Sequence, residues 1–250
     1  MRFILNDFLR DIRLALLFLT RLPLRAAQDE EMVPLAQAMR AFPLAGAFIG
    51  LIGGLALLLA EQMELPPIAA GLCAVLAMIL LTGGLHEDGL ADCADGFGAM
   101  GDKDKKLAIM KDSRLGAFGG LALIFSVGLR ASLLAAVPAS QGCWMLIAAG
   151  AISRASSPLI MSASTPAKPE GLGATSGTPD GAVGLWVLST GLLVAFIALG
   201  GSALAAVAYA ALAGGLMLLW AKRQIGGYTG DVLGAVIQVV EIAVLFAGLS

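Results

Sequence analysis

Charge is what this sequence has least of. Only 14% of its 250 residues are Asp, Glu, Lys or Arg, against roughly a quarter in a soluble domain. With 58% hydrophobic residues and a mean hydropathy of +0.88, there is too little polar material to cover a globule in water. That shortage excludes an ordinary cytosolic enzyme and a disordered chain. The net charge of −2 leaves no basic footprint for phosphate backbones, so a nucleic-acid partner is excluded as well. Cysteine is scarce. Cys73, Cys93 and Cys143 are too scattered for a zinc motif and odd in number, so no disulfide framework is implied. Histidine occurs once, at position 86. A Walker A motif, a Ser-His-Asp order and a Rossmann fingerprint are all missing. The N-terminus has a basic start but carries Asp7 and Asp11, and no small-residue cleavage site follows. It reads as a retained amphipathic helix rather than a signal peptide.

What is present in quantity is long apolar runs. About 20 apolar residues cross a bilayer as a helix, and seven segments qualify: 41–60, 65–85, 115–137, 142–162, 182–199, 203–221 and 232–250. The fifth and sixth form one run divided at Gly200-Gly201. The basic residues test the division. Arg2, Arg10, Arg13, Arg21, Arg25 and Arg40 precede the first span. Lys103, Lys105, Lys106, Lys111 and Arg114 lie between the second and third. Lys168 lies between the fourth and fifth, and Lys222 with Arg223 between the sixth and seventh. All fourteen therefore fall on one side, which the positive-inside rule makes cytoplasmic. The expectation is an all-α, polytopic helical bundle: one membrane-embedded catalytic domain over residues 1–250, with about seven transmembrane helices plus the N-terminal amphipathic helix. Its lasting partner is the lipid bilayer, and a homo-oligomer is left open. Closely spaced glycines such as Gly46, Gly50, Gly53 and Gly54 read as tight helix packing.

Three ionisable residues, Arg130, Arg154 and Glu241, lie inside spans. Such groups face a cavity or a partner, so a functional role and a structural ion pair both stand. The densest polar block begins at Gly83, GGLHEDGLADCADGFGAMGDKDKK. Asp88, Asp92 and Asp95, spaced i, i+4 and i+7, fall at about 0°, 40° and −20° around a helix. Three carboxylates on one stripe repel unless a cation sits among them, and oxygen ligands with room for water suit Mg²⁺ beside a substrate phosphate. The stripe continues the second span, placing the metal at the membrane boundary. The plainer alternative is a solvated acidic helix end. His86 points about 160° from Asp88. A base, a donor behind the ligands and a polar helix-end residue are equally open for it. Lys111, Asp112 and Arg114 sit at the mouth of the third span, where Arg suits phosphate or simply anchors the helix. Thr229 and Asp231 open the seventh span. Asp231 there caps the helix, helps to bind phosphate, or does both. These features amount to an Mg²⁺-dependent membrane enzyme acting on a phosphorylated substrate at the cytoplasmic face.

Six blocks then carry a resemblance. FLTRLP (18–23), FPLAGAFIG (42–50), TGGLHEDGLADCADG (82–96), MKDSRLGAFGGLAL (110–123), Ser153-Arg154 and GGYTGDVLGA (226–235) resemble cobalamin synthase, the adenosylcobinamide-GDP ribazoletransferase family of bacteria and archaea. They run in family order along the whole chain. Cys93-Ala94 and Tyr228 depart from the family pattern without touching a carboxylate. The resemblance implies an Mg²⁺-requiring membrane enzyme with two partner substrates, adenosylcobinamide-GDP and α-ribazole or its 5′-phosphate. Its products are adenosylcobalamin, or its phosphate, and GMP. It further implies that Asp88, Asp92 and Asp95 hold metal on the diphosphate, that Arg114 and Arg154 contact phosphate, and that a stripe carboxylate or His86 takes the proton of the 5′-hydroxyl. Asp112, Thr229 and Asp231 would complete the pocket. CDP-alcohol phosphotransferases share an Asp-Gly-x-x-Ala block, but their pattern continues with Arg where this chain has Asp92. An ion-coupled transporter built on Glu241, Arg130 and Arg154 is the alternative of another class; such proteins place sites at the midplane and show repeats, and no repeat is visible here.

Overall fold

A backbone in hydrocarbon must satisfy its own hydrogen bonds, and the apolar runs all do so as helices. The computed structural model describes residues 2–24, 34–168 and 176–249. Arg25 and residues 169–175 of the second polar loop lie outside them. The helices are α1 (Arg2–Leu19), the short α2 (Leu35–Ala38), α3 (Phe42–Gln62), α4 (Pro67–Thr82), α5 (Leu85–Gly98), α6 (Lys103–Ile109), α7 (Ala117–Ala135), α8 (Ala139–Ala163), α9 (Gly181–Leu199), α10 (Ala203–Ile225) and α11 (Gly230–Ala247). Local chemistry sets several boundaries. Prolines open α3 and α4, where a missing N–H is harmless. Asp180 accepts from the Val183 amide at 2.8 Å to cap α9, and Asp102 caps α6 through Lys105.

Five helical stretches are long and apolar enough to cross a membrane, and the bent pair α4–α5 makes a sixth. One of the five, 45 residues over Gly181–Ile225, would be about 67 Å long if straight, twice a bilayer core. It is in fact the hairpin α9–α10, broken at Gly200 with φ +55°. Leu199 and Ser202 at its turn share a pocket with Gln141 and Gly248, at the start of α8 and the end of α11. At the other end Lys222 of α10 reaches the Ala163 carbonyl that closes α8. Seven passes result, in agreement with the seven expected spans, and their outer faces are large aliphatic and aromatic side chains left for lipid. Lys222, Lys106 (bonded to Gln224 at the end of α10) and Lys168 gather at one basic end.

The central contact is α3 on α8. A Cβ on Gly46 would lie 2.0 Å from the Gly150 carbonyl oxygen, and one on Gly50 2.0 Å from that of Leu146. The two backbones touch, as the glycine spacing predicts. Helix α1 lies against this pair. Its Asp11 is fully buried and ion-paired with Arg40, and Phe18 stacks on Phe42 at 5.9 Å.

One expectation about direction fails. The acidic stripe does not run straight on from the second span, because α5 turns 94° away from α4. The turn is made by Gly83 and Gly84, at φ +67° and +72°, a region that residues with a Cβ rarely occupy. Helix α5 is thereby swung onto α11 and α7.

Candidate active site

Three helices fix α5 through one buried polar network. Glu87 of α5 accepts from Arg130 of α7 at 3.0 Å and from Gln238 of α11 at 3.0 Å. Arg130 also donates to Glu241 of α11 at 3.1 Å, and Ser126 donates to Gln238 at 2.8 Å. Arg154 of α8 pairs with the other oxygen of Glu241 and donates to Nδ1 of His86 at 3.3 Å. Two arginines and two glutamates cancel, as burial of charge requires. Arg130, Arg154 and Glu241 are each 1% exposed. Arg154, expected on phosphate, thus faces inward and meets the site only through His86.

On the solvent side of α5 the aspartates divide their work. Asp95 accepts from the amides of Gly116 and Gly119, each at 2.8 Å, so both of its oxygens hold the N-terminus of α7, where a carboxylate also meets the helix dipole favourably. Asp92 is half-buried, and Asp88, Asp231 and Asp95 all act on it electrostatically. Thr229, rather than Asp231, caps α11: its hydroxyl oxygen accepts from the Val232 amide at 3.3 Å and its hydroxyl donates to Asp231 at 3.2 Å. Asp231 is therefore free to face Asp88 and Asp92. Gly89 makes this possible, since a Cβ there would lie 2.7 Å from the Asp231 carbonyl oxygen. Among the described residues, no three His, Cys, Asp or Glu side chains are gathered tightly enough to hold a metal ion by themselves. The donor set is nevertheless all oxygen and mutually repelling, which suits a cation that takes one or two carboxylates and fills its shell with water and phosphate.

A second group was only partly seen by sequence reasoning, which had Lys111 but neither Lys103 nor Lys168 at the site. Lys103 and Lys111, with Lys168, line one pocket at the basic end. Burial, then the charges of Lys111 and Lys103, push the Lys168 ammonium below its ordinary pKa, while Asp231 pulls the other way. Lys168 of the basic trio thus feels Asp231 of the acidic group. A short bridge assembles it: Tyr228 donates to the Thr165 carbonyl at 3.1 Å and accepts from the Ala167 amide at 2.8 Å, tying the loop of Lys168 to the start of α11. No periodicity in the Pro- and Gly-rich loop could have announced that pairing. Asp112 and Arg114 are paired with each other on the exposed rim, at 2.6 Å, and line neither this pocket nor the cavity beside His86. Hydrogen bonds from Arg114 hold the Asp112 carboxyl down at about 2, so the pair stays ionised at any working pH.

The family model described as cobalamin-5-phosphate synthase matches residues 11–249. A protein of Bradyrhizobium diazoefficiens named adenosylcobinamide-GDP ribazoletransferase is 42% identical over 251 residues, covering 98% of this chain and 95% of its own. Proteins of the same name from Azorhizobium caulinodans and Rhizobium etli are 41% and 38% identical. They cover 98% and 97% of this chain, and 97% of their own length in both cases. No solved structure matches significantly. By the extent of these matches the chain belongs to the cobalamin-5-phosphate synthase family.

Proposed function

We propose that this chain joins adenosylcobinamide-GDP to α-ribazole, or to its 5′-phosphate, giving adenosylcobalamin or its 5′-phosphate and GMP. The observation that carries the reading is the acidic group of Asp88, Asp92 and Asp231, whose Asp231 acts on Lys168 of the basic pocket that Lys103 and Lys111 also line. A diphosphate needs both signs of charge beside it, lysine for its oxygens and acids for its metal. The names of the relatives support the same substrates.

Asp88 and Asp92, with Asp231, would hold Mg²⁺, which supplies Lewis acidity to offset charge on the diphosphate. The lysines hold the GDP phosphates. The 5′ oxygen is already esterified in α-ribazole 5′-phosphate, so the nucleophile is another ribose hydroxyl: one of the three carboxylates accepts that hydroxyl's proton as its oxygen bonds to the phosphorus attached to cobinamide. The bond from that phosphorus to the GMP oxygen breaks, and GMP leaves with the electron pair. His86 is not that base: arginine only donates, so Nδ1 accepts from Arg154 and a neutral ring carries its proton on Nε2. Arg154 and Glu241 act as positioning residues behind it, and Arg114 meets phosphate only by leaving Asp112. Positive-inside bias turns the basic end, and with it the site and the N-terminus, toward the cytoplasm of a bacterial inner membrane.

Purified protein given both substrates and Mg²⁺ is expected to release GMP and the corrinoid product together, to stop in EDTA and to resume when Mg²⁺ is restored. Chromatography of both products checks this. No GMP from folded protein rejects the reaction, and turnover indifferent to EDTA rejects the metal. The lysines carry a separate expectation. Lys111→Ala with Lys168→Ala should raise KM for the GDP-activated substrate about 10–100-fold, the range for lost charge-assisted hydrogen bonds, with the melting temperature unchanged. Initial rates at varied donor concentration give the answer, and an unchanged KM removes the lysines from the site.

A further inference from the structure

Beside the acids lies a cavity that the reaction as described leaves without an occupant. Its walls are apolar: Phe18 of α1, Phe42 of α3, Met161 of α8, and Leu233 and Ile237 of α11. Its polar members are His86, Ser157, Ser176, Asp88 and Asp231. Two of these present atoms that are buried without any partner, Nε2 of His86 and Oγ of Ser157, in residues 2% and 3% exposed. Buried polar atoms are rarely left unpaired in a finished structure, and each such atom calls for an explanation. Here both atoms belong to residues that line one cavity, and the chemistry of one of them is fixed. Arg154 occupies Nδ1 of His86 as a donor, so Nε2 is an N–H with nothing to receive it.

The geometry points to this cavity as the seat of the aromatic base of the acceptor nucleoside. The occupant it selects is a flat, largely apolar bicyclic ring with one unprotonated ring nitrogen to accept from His86 Nε2–H. A benzimidazole riboside such as α-ribazole has that chemistry. The assignment rests on the ribazoletransferase reading and adds how the acceptor is chosen. With the base against Phe18, Phe42 and Met161, its ribose lies toward Asp88 and Asp231, which line the same cavity and belong to the acidic group. His86 is then a specificity residue, set by Arg154 and thus by the buried network behind it.

The test is equilibrium binding of two nucleosides to the purified full-length protein in detergent, without the corrinoid donor. One is α-ribazole, and the other is indole riboside, in which C–H replaces the accepting nitrogen. The parent protein is expected to hold α-ribazole about tenfold more tightly, the upper range for one neutral hydrogen bond. His86→Asn keeps an oxygen for Arg154 to donate to but withdraws the donor from the cavity, so the ratio should fall to about one. Met161→Phe, which alters an apolar wall and no polar atom, should weaken both nucleosides alike, and it carries the test should His86→Asn fail to fold. A ratio that survives His86→Asn, or Met161→Phe binding both nucleosides as the parent does, overturns the assignment. A parent protein that makes GMP yet shows no preference overturns the cavity alone. One that makes no GMP and binds neither nucleoside overturns the transferase reading together with it.

Discussion

Asp92→Asn is expected to lower GMP release by about 10²–10⁴-fold while leaving the protein at least as stable as the parent. The two signs differ for one physical reason. Asp92 is half-buried and feels the like charges of Asp88, Asp231 and Asp95, so its carboxylate is electrostatically unfavourable until a cation joins the group. An amide of the same shape relieves that repulsion and also removes the charge the cation needs. Asp95→Asn should behave in the opposite sense. Both Asp95 oxygens accept backbone amides at the head of α7, and an asparagine keeps only one acceptor, so stability falls with activity. Measuring melting temperature and GMP release on both variants separates the roles. Full turnover in Asp92→Asn would end the case for the acidic group as the metal seat.

The same pair of residues marks how far the sequence can be read. Spacing along a helix placed Asp88, Asp92 and Asp95 on one face, and α5 has that face. What spacing does not encode is which element comes to meet it. Asp95 is met by the α7 amides, and Asp231 arrives from α11 to take its place beside Asp88 and Asp92. The apolar runs were legible as seven helices because hydrocarbon allows them few alternatives, and Gly46 and Gly50 announced a close helix contact without saying that α8 makes it. The turn at Gly83-Gly84 was not legible, since two glycines permit a left-handed turn without requiring one. Lys168 was hidden because its position depends on a bridge between residues 166 and 228, which no local pattern records. The buried charges fell between these cases. Their burial was foreseeable, but the pairing of Arg154 with Glu241, 87 residues away, depends on how the helices pack.

That pairing carries the largest expected effect on the fold. Glu241→Ala should destabilise the protein by about 3–5 kcal/mol, the range for breaking a buried ion pair from one side, because it leaves Arg130 and Arg154 sharing the single carboxylate of Glu87. Three of the four groups are 1% exposed, so water cannot make good the loss. Removing both partners is a different matter. Glu241→Met with Arg154→Met deletes one charge of each sign and leaves the Glu87–Arg130 pair at 3.0 Å intact, so most of the stability should return. Activity should not return with it. Without Arg154 nothing holds Nδ1 of His86 as an acceptor, the ring is free to take either tautomer, and Nε2 no longer presents a fixed donor. Thermal unfolding in detergent, read beside KM for α-ribazole, is therefore expected to show the double variant folded yet poor at holding its acceptor. A double variant that recovers both would make the network a scaffold with no bearing on chemistry. One that recovers neither would mean that the helices need these charges to find their register, not only to balance one another.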